Sequence, residues 1–136
     1  MAEDFIRFVV PKRTDPDSQT AVGLVAIAYE LAESDDVEPV LRDQLRELLA
    51  WIEANVPVPE RFNRTTSKGW YRRATRGIAW LRATADQPLA TFRSLAAVVT
   101  ACGHEVAEIR ATRVGYITHE DDIQVIAEPF RDTRTR

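Results

Sequence analysis

Three stretches of the chain carry apolar residues at intervals of three and four, which is the spacing of amphipathic helices. The apolar stripes are Leu24, Ile27, Ala28 and Leu31; Leu41, Leu45, Leu48, Leu49 and Ile52; and Leu89, Phe92, Leu95, Ala96 and Val99. Pro39 fits the first turn of the second helix. Asp86 is predicted to cap the third helix, and Gly103 is expected to end it in a left-handed conformation.

We expect the second and third helices to supply much of the core, because each has a single apolar stripe. The side chains predicted to be buried are Leu45, Leu48, Ile52, Phe92, Leu95 and Val99.

Short runs rich in aromatic and β-branched residues predict the strands. The predicted strands are residues 5–10, 77–81, 106–111, 115–119 and 123–127. Pro11 is expected to end the first strand, because proline lacks the N–H group that a sheet requires. The last two strands flank the acidic residues Glu120, Asp121 and Asp122, and this pattern predicts a β-hairpin with an acidic turn.

The predicted order of elements is β-α-α-β-α-β-β-β. This order favours an α+β fold for residues 1–130, a single domain with a mixed β-sheet covered mainly on one face by about three helices. The sheet is expected to be mixed because a strand, a helix and a strand in succession predict a right-handed parallel crossover. Residues 131–136 are expected to form a flexible C-terminal tail.

Composition narrows the classes of protein to consider. The 136 residues are 45% hydrophobic and 29% charged, which is typical of an ordinary globular domain. One cysteine and two histidines exclude an intrachain disulfide and a four-ligand Cys/His zinc site within one copy. No stretch approaches the roughly 20 apolar residues of a membrane-spanning helix. We therefore expect a cytoplasmic protein with no cofactor, no bound metal and no membrane association.

The net charge of −3 conceals a strong asymmetry along the chain. Residues 1–60 hold 13 acids and 5 bases, whereas residues 61–85 hold 7 bases and no acid. Residues 86–136 hold 8 acids and 6 bases. A block of like charge next to a block of opposite charge indicates a contact, either within the chain or with a partner.

The basic block, residues 61–76, is predicted to be a long exposed loop that binds a partner. Its predicted partner-binding residues are Arg61, Arg64, Lys68, Trp70, Tyr71, Arg72, Arg73 and Arg76. Arginines can anchor phosphates or carboxylates, and exposed aromatic rings can stack on unpaired bases. These residue types predict a non-enzymatic binding protein whose anionic partner is an acidic protein surface or single-stranded nucleic acid.

The pI of about 5.4 favours the acidic protein slightly, because nucleic-acid binders are usually basic overall. Two further interpretations stay open for the basic block. Its arginines could pair with the acid-rich first half of the same chain, or with that half of a second copy in a homo-oligomer.

The alternative function is a small enzyme acting on a phosphorylated or carboxylated metabolite. An arginine clamp would hold the substrate, with His119 or Glu120 as the acid–base group. Other candidate chemistry is weaker: Cys102 and His104 are better explained by helix packing and helix capping than by nucleophilic catalysis. A hairpin turn explains the 120–122 acids better than a magnesium site does. We predict no catalytic residue and no metal ligand.

Both ends of the chain resemble a known family. The first end is Phe5-Ile6-Arg7-Phe8-Val9-Val10-Pro11, and the second runs from Arg113-Val114-Gly115 to Glu120-Asp121-Asp122-Ile123-Gln124-Val125-Ile126-Ala127-Glu128-Pro129-Phe130. They resemble a family of small uncharacterised bacterial proteins. The Trp51 helix followed by Val58-Pro59-Glu60-Arg61-Phe62 is similar too, so the resemblance covers nearly the whole chain. The resemblance implies a bacterial, cytosolic, single-domain protein, and it supplies no activity, ligand or catalytic residue.

Overall fold

The structure is a computed structural model that describes residues 3–14, 21–56 and 78–128. Within these ranges the chain forms six strands and three helices, in the order β1 (Phe5–Thr14), β2 (Ala21–Gly23), α1 (Leu24–Ala32), α2 (Pro39–Asn55), β3 (Ile78–Arg82), α3 (Asp86–Ala101), β4 (Ala107–Ala111), β5 (Tyr116–Glu120) and β6 (Gln124–Glu128). The predicted α+β fold with about three helices is confirmed. The predicted tail, residues 131–136, lies outside the described ranges.

β1 lies inside the sheet and organises it. One edge of β1 pairs with β4 from Phe5 to Val9. Phe5 and Ile6 also pair with β3, and Val9 also pairs with β2. The other edge of β1 is therefore shared by β3 and β2. β6 then pairs with β3, and β5 pairs with β6.

The sheet is antiparallel at every described pairing, which corrects the expected mixed sheet. β3 and β4 do run in the same direction, as the strand–helix–strand order predicted, but β1 lies between them and is antiparallel to both. The connection through α3 therefore skips one strand position. The local pattern of residues 77–111 could not reveal that the first strand of the chain occupies this position.

β1 continues through Pro11, contrary to the prediction that the proline would end it. The ladder between β1 and β2 is irregular between Val10 and Thr14. Pro11 falls within that irregularity, where its missing N–H group breaks no regular ladder. β2 was not predicted, because three residues are too few to show the alternation of apolar and polar side chains that marks a strand.

The helix ends follow the sequence with one exception. α2 begins at Pro39, and Gly103 adopts a left-handed φ of 98° just beyond α3, both as predicted. Asp86, however, is the first residue of α3 rather than its cap, since Ala85 occupies the cap position without a side-chain hydrogen bond. A carboxylate in the first turn still interacts favourably with the helix dipole.

The three helices pack on one face of the sheet. Their buried residues form a cluster with Ile6, Phe8 and Leu81 from the strands, and a second cluster centred on Trp80 and Ile109 lies on the opposite face. Among the described helices, none combines the length and apolarity needed to cross a lipid bilayer.

The predicted core residues are mostly buried. Leu45, Ile52, Leu95 and Val99 are buried, whereas Leu48 and Phe92 are only half-buried. Leu48 and Phe92 lie on the flanks of their stripes. The Phe92 ring packs 5.8 Å from the Phe8 ring, centroid to centroid.

Candidate binding site

A cavity of about 220 Å³ opens where β1 changes its pairing partner. β1 pairs with β3 up to Ile6 and with β2 from Val9 onward, and the cavity lies along the stretch between. All three helices contribute to its wall. Its apolar lining includes Ile6, Phe8, Leu24, Ile52, Val56 and Phe92.

The size of the cavity decides what it can hold. A cavity of about 150 Å³ accommodates a benzene-sized molecule, so the larger volume here admits an apolar group such as a leucine or phenylalanine side chain. Burial of an apolar group removes its surface from water and stabilises the complex by about 25 cal/mol per Å². The cavity is therefore suited to anchoring one hydrophobic side chain or a small hydrophobic molecule.

Two polar residues, Arg7 and Gln124, complete the described wall of the cavity. Burial lowers the pKa of Arg7 to about 10, so the guanidinium still carries its charge at neutral pH. The guanidinium lies close to Gly23, where an added Cβ atom would sit 3.7 Å from Nη2. Sequence reasoning missed Arg7, although a single charge inside the apolar run of residues 5–10 was the available signal.

The predicted partner-binding residues lie outside the described ranges. These are Arg61, Arg64, Lys68, Trp70, Tyr71, Arg72, Arg73 and Arg76. The structure does describe where their segment is attached. The described chain stops at Val56 and resumes at Ile78, and both Val56 and Ala79 line the cavity. The basic segment is therefore tied covalently to the cavity wall at both ends.

Several acids of the first half of the chain already have basic partners outside residues 61–76. The ion pairs are Glu3 with Arg82, Asp4 with Arg110 at 3.4 Å, Glu30 with Arg13 at 3.1 Å, and Asp35 with Arg42 at 3.7 Å. All of them involve at least one exposed side chain, so each contributes only about 0–1 kcal/mol. Their significance is that these four carboxylates are engaged elsewhere in the fold.

Arg82, the one base of residues 61–85 that is described, links the start of the chain to the hairpin. Besides its ion pair with Glu3, it contacts Glu120 at 3.2 Å, and its Nε donates to the carbonyl oxygen of Asp121 at 2.6 Å. Its guanidinium also lies 5.9 Å from the centre of the Phe5 ring. Arg82, which follows the basic block in the chain, therefore has a structural role.

Hydrogen bonds to Asp121 organise the acidic turn. Oδ1 of Asp121 accepts hydrogen bonds from the backbone N–H groups of Ile123 at 2.8 Å and Gln124 at 2.9 Å. Its Oδ2 lies 3.1 Å from Nε2 of His119. In the described part of the chain, no group of three or more His, Cys, Asp or Glu side chains is placed to hold a metal ion.

The groups considered for catalysis do not converge on the cavity. His119 is held by Asp121 at the hairpin turn, and neither His119 nor Glu120 belongs to the cavity wall. Cys102 is half-buried against the helix-side cluster. Burial, together with the charge of Glu38, raises the pKa of the Cys102 thiol, which keeps it protonated and weakly nucleophilic.

Comparisons with protein-family models, with curated proteins and with solved structures each gave no match for this chain. The family resemblance of the sequence therefore stays an expectation.

Proposed function

We propose that this chain is a non-enzymatic binding protein that engages an acidic segment of a partner protein. In this proposal, arginines of residues 61–76 contact carboxylates of the partner, and one apolar side chain of the partner enters the cavity. Interfaces commonly combine a buried apolar anchor with a polar, charged rim. The proposed compartment is the cytoplasm, an inference that comes from the sequence alone.

The observation that carries the proposal is the position of the cavity. Its wall includes Val56 and Ala79, which flank the basic segment on either side. A partner that contacts the chain near either attachment point also meets an apolar cavity of about 220 Å³. A peptide with acidic residues around one large apolar residue matches both features.

Four acids of the first half of the chain are already paired, which reduces the number available to the basic segment. Glu3, Asp4, Glu30 and Asp35 contact arginines outside residues 61–76. If the basic segment were neutralised by the first half of the same chain, fewer carboxylates would be left for it. Nine other acids of residues 1–60 remain, so the melting curves described below decide between an external partner and pairing within the chain.

The enzyme alternative receives less support from the described residues. It needs His119 or Glu120 close to a bound metabolite, but His119 contacts Asp121 and Glu120 contacts Arg82. Neither residue lines the cavity, although His119 pairs across the hairpin with Ile126, which does. Single-stranded nucleic acid is the other alternative partner, and it would use the basic segment without an apolar anchor.

Fluorescence anisotropy with three defined probes tests the proposal. The first probe is a glutamate-rich peptide with one central leucine, the second has alanine in place of that leucine, and the third is a single-stranded oligonucleotide of similar charge. We expect the leucine peptide to bind most tightly, because only it can use both features. Its affinity is expected to fall as salt rises, because its carboxylates contact arginines.

Two variants separate the charged contacts from the apolar anchor. Replacing Arg72 and Arg73 by glutamate is expected to weaken all three probes, whereas Ala79→Leu, which fills the cavity from an exposed position, is expected to weaken only the leucine peptide. The control is the double change Arg134→Glu and Arg136→Glu, which alters the net charge equally outside residues 61–76. Tighter binding of the oligonucleotide, or equal binding of both peptides, would contradict the proposal.

A loss of thermal stability in the Arg72 and Arg73 variant would point instead to pairing within the chain. Exposed pairs contribute only about 0–1 kcal/mol each, so external binding predicts an almost unchanged melting temperature. The melting curves of this variant and of the control variant therefore complete the test.

A further inference from the structure

β4 forms one end of the sheet. Of the described strands, only β1 pairs with it, from Ala107 to Ala111, so no described strand lies beside the opposite edge of β4. An open strand edge can pair with another strand, and proteins usually block it with proline, with charged side chains or with a covering element. β4 contains no proline, and its two charged residues have opposite signs.

The charges on β4 occupy the helix side of the sheet. Glu108 and Arg110 are exposed, and they pair across the ladder with Phe8 and Ile6, both of which belong to the helix-side cluster. Ile109, between them, points to the opposite face and is fully buried. One acid and one base therefore lie on the same face, one on either side of Ile109 along the strand.

We propose that two copies of this chain associate through β4, with the two strands antiparallel and the two Ile109 residues opposite each other. In this register, Glu108 of each copy faces the partner's Arg110. Two favourable cross-strand charge pairs result, and both lie on the helix side. The two sheets join into one continuous sheet whose helices lie on the same face.

The neighbouring registers are unfavourable. A shift that keeps the helices of both copies on one face must move the strands by two residues, because side chains alternate between the faces. One such shift places Glu108 opposite the partner's Glu108, and the other places Arg110 opposite the partner's Arg110. Like charges directly opposite each other destabilise a strand pair, so the charges select a single register.

Existing ion pairs extend the contact into a charge network. Nε of Arg93 lies 3.0 Å from Glu108, and Nη1 of Arg110 lies 3.4 Å from Asp4. In the proposed dimer, positive and negative groups alternate from Arg93 through Glu108 to the partner's Arg110 and Asp4. Networks of this kind stabilise more than isolated surface pairs do.

α3 leaves room for the second copy. The contact between Arg93 and Glu108 places this side of α3 above β4. The residues one turn away from Arg93 on the same helical face are Ala90 and Ala97, and both are exposed. Because these side chains are small, the helix does not obstruct the approach of a second strand.

The proposal is independent of the binding function suggested above, because it uses a different surface. Sedimentation velocity over low micromolar to millimolar protein concentrations tests it. We expect the wild-type dimer fraction to increase with concentration and to decrease with added salt. Backbone amides of residues 107–111 should exchange hydrogen more slowly in concentrated samples than in dilute ones, which tests the edge without any substitution.

Charge reversal tests the register. Glu108→Arg places two arginines opposite each other, and Arg110→Glu places two glutamates opposite each other. Each single variant is expected to raise the dimer dissociation constant on the order of tenfold to a hundredfold. An equimolar mixture of the two variants is expected to recover a heterodimer, because each acid then faces a base. The double variant should also recover the dimer.

Glu47→Arg on α2 is the matched control, since it makes the same charge change on an exposed helix position. Its dissociation constant is expected to stay close to that of the wild type. The proposal is wrong if the wild-type chain stays monomeric up to millimolar concentration, or if the single variants dimerise as well as it does. It is also wrong if the mixture of single variants stays monomeric.

Discussion

Replacing Asp121 by alanine measures how much one carboxylate contributes to the hairpin of β5 and β6. The change removes the acceptor for the backbone N–H groups of Ile123 and Gln124, which lie 2.8 and 2.9 Å from Oδ1. It also removes the contact of Oδ2 with His119 at 3.1 Å. The exposed Asp122 lies next to Asp121, and its side chain accepts no described hydrogen bond, so Asp122→Ala is a close control.

The expected loss follows from the number and type of these hydrogen bonds. A buried hydrogen bond to a charged group contributes about 1.5–3 kcal/mol. The Asp121 side chain is 32% exposed, so water can partly replace it as an acceptor. We therefore expect Asp121→Ala to lower the free energy of unfolding by about 1–3 kcal/mol, and Asp122→Ala to change it by less than about 0.5 kcal/mol.

The pH dependence gives a second, independent test. Burial of the carboxyl opposes its ionisation, but hydrogen bonds from Gln124, His119 and Ile123 outweigh burial and lower the pKa of Asp121 below 3.8. Because the folded pKa is lower than the unfolded one, ionised Asp121 stabilises the fold above pH 3.8. This contribution is lost as the pH falls through the folded pKa.

Urea denaturation of the wild type and both variants, at neutral pH and at pH values below 3.8, measures these effects. The difference between the wild type and Asp121→Ala is expected to shrink in acid, while the Asp122 variant follows the wild type throughout. Equal destabilisation by the two substitutions would refute the assignment of the turn to Asp121. A difference that does not change with pH would refute the role of its charge.

Two further predictions concern the helices. Leu45 is fully buried and Leu48 is half-buried on the same helix. In urea denaturation, Leu45→Ala is expected to lower the free energy of unfolding by about 2–5 kcal/mol, and Leu48→Ala by about half as much. Equal losses would contradict the assigned core face. The hydrogen bond from Tyr29 to Glu53, with some burial, raises the pKa of Tyr29 to about 12. An alkaline absorbance titration should therefore show that one tyrosine ionises later than the others. Glu53→Gln should return the pKa of Tyr29 toward 10. Tyrosines that ionise together in the wild type would argue against this contact.

The sequence alone determined the elements whose signals are local. The stripe from Leu45 to Ile52 predicted α2, Pro39 marked its start, and Gly103 marked the end of α3, since periodicity and capping act within a few turns of one helix. The hairpin around Asp121 was predicted for the same reason: its strands are neighbours in the chain. Charge counting likewise identified the basic segment, and its partner-binding role stays a prediction.

The tertiary structure decided which distant segments meet. Nothing near residues 5–10 indicates that this strand separates β3 from β4, or that its pairing change at Ile6 and Val9 opens a cavity. The open edge of β4 likewise follows from its place at the end of the sheet. These features depend on strand pairings between residues far apart in the chain, whose energies arise only when the strands come together, so a local pattern does not encode them.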